Sequence, residues 1–159
     1  MQKNRNWLWY FLTLAFLTLL ATTILIVYNL SQQLKPEQLQ AARRQWQEKG
    51  LPSYHLVYSI KIHEESRSDL YDITVKDHHV TQALVNGLSQ TADKFHWYGM
   101  EKLFSYIATD LERDQKKGQP RAYTRALFDP QNGALRWYVR RVMGTQHRVE
   151  ITIEKLTPQ

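Results

Sequence analysis

The sequence predicts an α+β protein: an N-terminal transmembrane helix, then a two-layer sandwich in which an amphipathic helix covers an antiparallel sheet of about five or six strands. Three observations carry that expectation. An uncharged run, "WLWYFLTLAFLTLLATTILIVYNL", fills residues 7 to 30. Period-two alternation recurs in several stretches after residue 53. One later segment instead repeats apolar residues with the helical period, and the turns between strands are too short for parallel crossovers.

The apolar run is the first element. From Leu8 to Val27 it supplies 20 residues, or about 30 Å of helix, which matches a bilayer core. Trp7, Trp9 and Tyr10 cluster at one end and Tyr28 sits at the other, where amphipathic rings favour headgroup depth. Its threonines can bond back to helix carbonyls. The run exceeds a signal-peptide core of about 7–15 residues and no small-x-small site follows it, so the expectation is a retained single-pass anchor. A short tail over 1–6 carries Lys3 and Arg5; Lys35, Arg43 and Arg44 lie beyond the run, so the positive-inside count is nearly a tie.

Residues 31–50 read as a juxtamembrane helix and linker. Pro36 suits a first helical position, Glu37 the positive end and Gly50 a stop, while Leu39, Ala42 and Trp46 form a thin apolar stripe that docks Trp46 on the following domain. Arg43 and Arg44 offer a second reading, contact with lipid phosphates.

A domain over 51–157 follows. In "SYHLVYSIKIH" Tyr54, Leu56, Tyr58, Ile60 and Ile62 alternate with His55, Val57, Ser59, Lys61 and His63, as in a half-buried strand. "LYDITVKDHHVTQALV" predicts a hairpin turning near Asp77-His78, with Tyr71, Ile73 and Val75 inward and Val80, Gln82 and Leu84 returning. After a polar stretch, Met100, Leu103, Phe104, Ile107, Ala108 and Leu111 mark the clearest helix, ended by Gly118 and Pro120. "PRAYTRALF" and "LRWYVRRVM" are strands joined by the turn "DPQNG", and "HRVEITIEKL" closes the domain with Val149, Ile151 and Ile153 inward.

Composition narrows the chemistry. The 159 residues contain no cysteine, which excludes disulfides, thiolate metal sites, a cysteine nucleophile and a lipidated-cysteine anchor. Mean hydropathy is −0.53 despite the membrane run. Of the net charge of +6, residues 120 to 159 hold seven basic against three acidic side chains, while 31 to 119 balance. No nucleotide-binding, serine-hydrolase or metalloprotease motif occurs. His55 and His63 stand eight residues apart on one strand at about 3.3 Å per residue, too far to share one ion. The six histidines read as turn and surface residues and Glu64, Glu65, Asp69 and Asp72 as solvated carboxylates, so no catalytic residue, metal or cofactor is expected.

The arginines are the remaining feature. Alternation places Arg121, Tyr123 and Arg125 on one face of their strand, Arg136, Tyr138 and Arg140 on one face of the next, opposite Leu135, Trp137 and Val139, and Arg148 at the start of the third. In a meander these seven residues make an outer face of interleaved Arg and Tyr, suited to phosphate or carboxylate. Its bland counterpart is a solvated face with cross-strand pairs such as Arg140 with Glu150 or Glu154. The adjacent Arg140 and Arg141 cannot both face water in a regular strand. One is aimed at a core, an anion is held, or, as preferred here, a β-bulge at this pair frees both and returns Val142 inward.

The segments "RRQWQEKGLPSYHLVYSI", "YDITVKDHHV", "YGMEKLFSYIATDL" and "YTRALFDPQNGALRWYV" follow one another in an order that resembles an uncharacterised bacterial domain-of-unknown-function family of small secreted or membrane-anchored α+β proteins. The resemblance spans about residues 43 to 153 and rests on core and turn positions. Members are often lipoproteins, whereas this chain has an apolar helix and no cysteine; many carry Gly-x-Pro after the turn, where Gly133-Ala134-Leu135 stands here. The resemblance implies an extracytoplasmic domain with the N-terminus inside the cell, and lends no catalytic residue. Together these readings set an expectation: a membrane-tethered extracytoplasmic binding or scaffold module meeting an envelope protein or anionic envelope component through the Arg/Tyr face. The alternatives are a cytoplasm-facing domain on lipid headgroups and, behind it, an envelope enzyme. A net of +4 beyond the membrane run is thin for nucleic acid.

Overall fold

A computed structural model of the chain describes residues 6–159, and the side chains of all of these except residues 6 and 29–31. Most of the short tail, with Lys3 and Arg5, lies outside the described residues. The chain forms two compact units, one ending at Gln33 and the other running from Leu34 to Gln159.

The first unit is helix α1 (Asn6–Ser31), long and apolar enough to cross a membrane. Thr13, Thr18, Thr22 and Thr23 donate to the carbonyls of Trp9, Leu14, Thr18 and Leu19 at 2.7–2.8 Å, so each hydroxyl is satisfied within the helix, as hydrocarbon requires.

The second unit opens with helix α2 (Pro36–Lys49). It starts where Pro36 can occupy the first turn and ends at Gly50, whose N–H donates to the Trp46 carbonyl. Leu39, Ala42 and Trp46 are buried, and Trp46 packs edge-on against Tyr54 with centroids 5.5 Å apart, so the expected docking occurs. The strands are β1 (Tyr54–Ile62), β2 (Arg67–Lys76), β3 (His79–Val85), β4 (Leu88–Ser89), β5 (Ala122–Phe128), β6 (Leu135–Val142) and β7 (Arg148–Pro158). A 3-10 helix (Ala92–Trp97) and helix α3 (Met100–Gln115) lie between β4 and β5. All pairings are antiparallel, in the order β4-β3-β2-β1-β7-β6-β5. Two meanders therefore meet at β1 and β7, and α3 is the connection that carries the chain from one outer edge of the sheet to the other.

The class is as predicted, and the sheet is larger: seven strands rather than five or six. The addition is β4, two residues in a stretch read as polar loop. It folds back after Asn86 and Gly87, both at positive φ, and pairs Leu88 with Val85. The other expected turns form. Asp77 and His78 both take positive φ, as a tight hairpin turn demands. In "DPQNG" the Asp129 N–H donates to the Ala134 carbonyl at 2.7 Å, and Gly133, at φ +76°, lets the loop lie against α2. A Cβ at Gly133 would stand 2.3 Å from the Ala42 carbonyl oxygen.

Three bulges break the expected alternation. In β3 the register slips between Thr74 and Val75, so Ala83 and Val85 oppose Ile73 and Tyr71 where Gln82 and Leu84 were expected inward. In β7 it slips at Glu154, returning Leu156 to the partner of Leu56. In β6 Leu127 opposes Trp137 and Phe128 opposes Leu135, leaving Arg136 as the extra residue. The core lies between the helices and one face of the sheet: Met100, Leu103, Phe104, Ile107 and Leu111 of α3 against Leu56, Tyr58, Ile73, Leu135, Tyr138 and Ile151.

Candidate functional site

The Arg136 bulge decides which side chains of β6 meet the helices. After it, Tyr138, Arg140 and Val142 turn to the helix layer, and Trp137, Val139 and Arg141 to the other face. The expected bulge at Arg140-Arg141 is absent: Thr124, Arg140 and Val149 align across three strands, as do Tyr123, Arg141 and Arg148. Of the three readings of the double arginine, the one with an arginine aimed at the core holds.

That arginine is Arg140. Its side chain is only 7% exposed and forms two bonds to Asp114 of α3, Nε to Oδ2 at 2.9 Å and an NH2 nitrogen to Oδ1 at 2.5 Å. The paired Asp114 carboxylate holds the guanidinium charged against the cost of its burial. One turn earlier on α3, Asp110 is buried, accepts the Tyr138 hydroxyl at 2.9 Å and pairs with Arg113. Burial pushes the Asp110 carboxyl above its ordinary range, with the Tyr138 hydroxyl, Arg113 and Arg140 pulling the other way. Tyr138 and Arg140 are thus components of the core and not of the outer Arg/Tyr face in which the alternation placed them.

No helix of the Leu34–Gln159 unit covers the opposite face of β5, β6 and β7. There the residues form rows across the strands. The first is Tyr123, Arg141, Arg148; the second is Arg125, Val139, Glu150, Lys61; the third is Leu127, Trp137, Thr152, Ser59. Val139 is only 8% exposed although no helix of this unit covers it, and its neighbours on this face are Trp137 and Arg141 along the strand and Arg125 and Glu150 across it. Glu150 accepts the Trp137 indole N–H at 2.8 Å and an Arg148 N–H at 3.0 Å, with His63 at 3.5 Å. The indole bond first, then Arg148 and His63, hold its carboxyl below the usual range. Arg148 Nε is buried with no partner, and Arg141 is exposed directly opposite Arg148.

Of the seven residues expected on one face, three share it: Tyr123, Arg125 and Arg148. Arg121 precedes β5 and is exposed; Arg136 sits at the bulge, 3.5 Å from Asp129. Glu150, expected as a partner of Arg140, pairs with Arg148 instead. Trp137, Arg141 and Lys61 belong to the face and were missed. The stretch "WYV" gives no sign of the slip, since regular alternation divides three consecutive large residues between two faces and the extra residue, Arg136, precedes them.

The histidines disperse: His55 to Asp72 at 2.7 Å, His63 to Glu150, His147 to Glu64 at 2.9 Å. Among the described residues no three His, Asp or Glu side chains are placed to hold one metal ion. Searched against family models and against curated proteins, the chain matches none.

Proposed function

We propose that this chain is a membrane-tethered binding module, its folded domain outside the cytoplasm, that captures an anionic envelope component on the uncovered face of β5, β6 and β7. The observation that carries this reading is the opposition of Arg141 and Arg148 on neighbouring strands, with Tyr123 beside Arg141 and Arg125 in the next row. Like charges facing each other across a sheet cost folding free energy. An anion held in arginine forks beside a tyrosine offsets that cost when it binds. Binding is favoured over catalysis because the buried carboxyl with a raised pKa, Asp110, is closed in by Tyr138 and Arg113 and opens on no reacting centre.

The test has two arms. A reporter fused after Gln159 reads the side of the membrane: activity outside the cytoplasm is expected, and activity inside overturns the location and moves the reading to lipid headgroups. The full chain in zwitterionic nanodiscs is then titrated with fluorescent poly(glycerol phosphate). Replacing Arg125, Arg141 and Arg148 together by Ala should weaken capture by about tenfold or more; undiminished capture removes the face from consideration.

A further inference from the structure

The helix side of the sheet holds a second feature that the arginine face does not use. The floor formed by β1 and β2, the end of the 3-10 helix and the first two turns of α3, with Lys102, Leu103 and Tyr106, outline an open-mouthed cavity of about 340 Å³, within the range of small-molecule sites. Tyr58 and Tyr71, cross-strand partners, stack with centroids 4.7 Å apart and planes parallel, and Tyr98 stands 6.2 Å from Tyr71. Trp97 lines the same cavity while remaining 63% exposed, with the Lys102 ammonium 5.0 Å from its ring centroid.

The hydroxyls set this cavity apart from ordinary aromatic packing. Buried tyrosines normally find a hydrogen-bond partner. Tyr54 does so with the Met100 N–H and Tyr138 with Asp110. Tyr58 is only 3% exposed and Tyr71 and Tyr98 are half-buried, yet among the described residues none of the three hydroxyls bonds to a protein group, and the Tyr58 oxygen is not sealed from solvent. Three phenols therefore line one space with the donor and acceptor capacity of their hydroxyls unspent on the protein. Burial keeps Tyr58 and Tyr71 protonated far above neutral pH, so each can both donate and accept.

That combination selects among ligand classes. A quaternary ammonium suits an aromatic cage, but Lys102 in the lining repels it. A phosphate would find one ammonium and no cluster of backbone donors. An acyl chain would leave the phenols unbonded. A saturated ring that carries hydroxyls on its rim and C–H groups on its faces satisfies both the phenols and the aromatic walls. We propose that this cavity binds a pyranose ring of a glycan, with Trp97 as the apolar wall at its mouth and Tyr58, Tyr71 and Tyr98 as hydrogen-bond partners of the ring hydroxyls.

The site lies on the opposite face of the sheet from the arginines and stands whether or not they bind an anion. Calorimetric titration of the full chain in nanodiscs with N-acetylglucosamine trimer, cellotriose and trigalacturonate tests it across N-acetylated, neutral and acidic rings. Saturable binding of at least one is expected. Tyr58→Phe, which removes one oxygen from a packed ring, should weaken it by about five- to twentyfold with the unfolding midpoint nearly unchanged. Trp97→Ala, at an exposed position, should weaken it by about tenfold, and the Arg125, Arg141 and Arg148 triple variant should bind as the parent does. No saturable heat with any of the three sugars overturns the proposal, as does binding undiminished in both Tyr58→Phe and Trp97→Ala. Binding of p-cresol without the sugars also overturns it, by assigning the cavity to an aromatic side chain.

Discussion

Arg140 and Arg141 are neighbours in the chain, and the two faces of the sheet give them opposite surroundings. On the helix side Arg140 is removed from water and held by two bonds to one carboxylate. On the uncovered side Arg141 is exposed and faces a second arginine. Asp114 of α3 pairs there with Arg140 of β6, so that this charge pair serves to fix how α3 sits on β6, while Asp110 accepts the Tyr138 hydroxyl and pairs with Arg113 of its own helix. On the other side Glu150 alone answers Arg148 and His63, and cation remains in excess. The buried pair tolerates no change of partner, whereas an exposed cluster with an excess of one sign keeps binding capacity for something outside the fold.

The sharpest way to break this comparison is to truncate the two arginines separately. Arg140→Ala leaves Asp114 mostly buried and unpaired and should cost about 3–5 kcal/mol. Arg141→Ala should change stability by no more than about 0.5 kcal/mol. Urea unfolding of both variants, with equal m-values, checks the contrast; similar losses would mean that the faces do not differ as described.

Next in size is the close approach of α2 to the β5–β6 turn on the helix side. Gly133 and Gly144 both have φ near +77°, but a Cβ on Gly133 would strike the Ala42 carbonyl and one on Gly144 would meet nothing within 4 Å. Gly144→Ala therefore measures backbone strain alone, about 1 kcal/mol, and Gly133→Ala should cost at least about 2 kcal/mol more. Thermal unfolding of the pair isolates the helix contact from the strain.

Much of this two-sided arrangement was legible in residue order. The alternation of β1, the apolar stripe of α3 and the turn residues at Asp77-His78 and in "DPQNG" each follow from local chemistry, and each element formed where those residues stand. The bulges at Arg136, Thr81 and Glu154 did not, because each depends on which residues the neighbouring strand presents, a non-local matter. One slip at Arg136 exchanged the faces of Tyr138, Arg140 and Arg141, and with them half of the candidate site. A usable clue lay on α3. The stripe Leu103, Ile107, Asp110, Asp114 keeps the helical period while turning acidic at its C-terminal end, which calls for a basic residue beneath it.

The two faces should also respond to acid with opposite sign. Glu150 has a folded pKa below its unfolded value, so its contribution is present above the unfolded pKa, near 4.5, and is lost as pH falls through the folded value. Asp110 has a folded pKa above its unfolded 3.8, so the folded state takes up its proton first and this group favours folding increasingly as pH falls through that folded value. Stability measured between pH 3 and 7 should accordingly fall less steeply in Glu150→Gln and more steeply in Asp110→Asn than in the parent chain. Matching slopes in the two variants would remove the distinction. At neutral pH Asp110→Asn should also be mild, within about 1 kcal/mol, since the amide oxygen still accepts the Tyr138 hydroxyl and no buried charge is needed.

The smallest effect is the most informative about purpose. If Arg141 and Arg148 oppose each other with no anion to hold, removing one charge should raise stability and leave capture unchanged. If they stand as an unfilled anion site, Arg141→Gln, which keeps a long polar side chain and deletes the charge, should raise stability by about 0.2–1 kcal/mol while weakening capture of poly(glycerol phosphate). Added salt should raise the parent's stability toward that of Arg141→Gln, because screening relieves the same repulsion. A gain in stability joined to a loss in binding is the signature of residues kept against the interest of the fold, and Arg141 is where the two measurements should part.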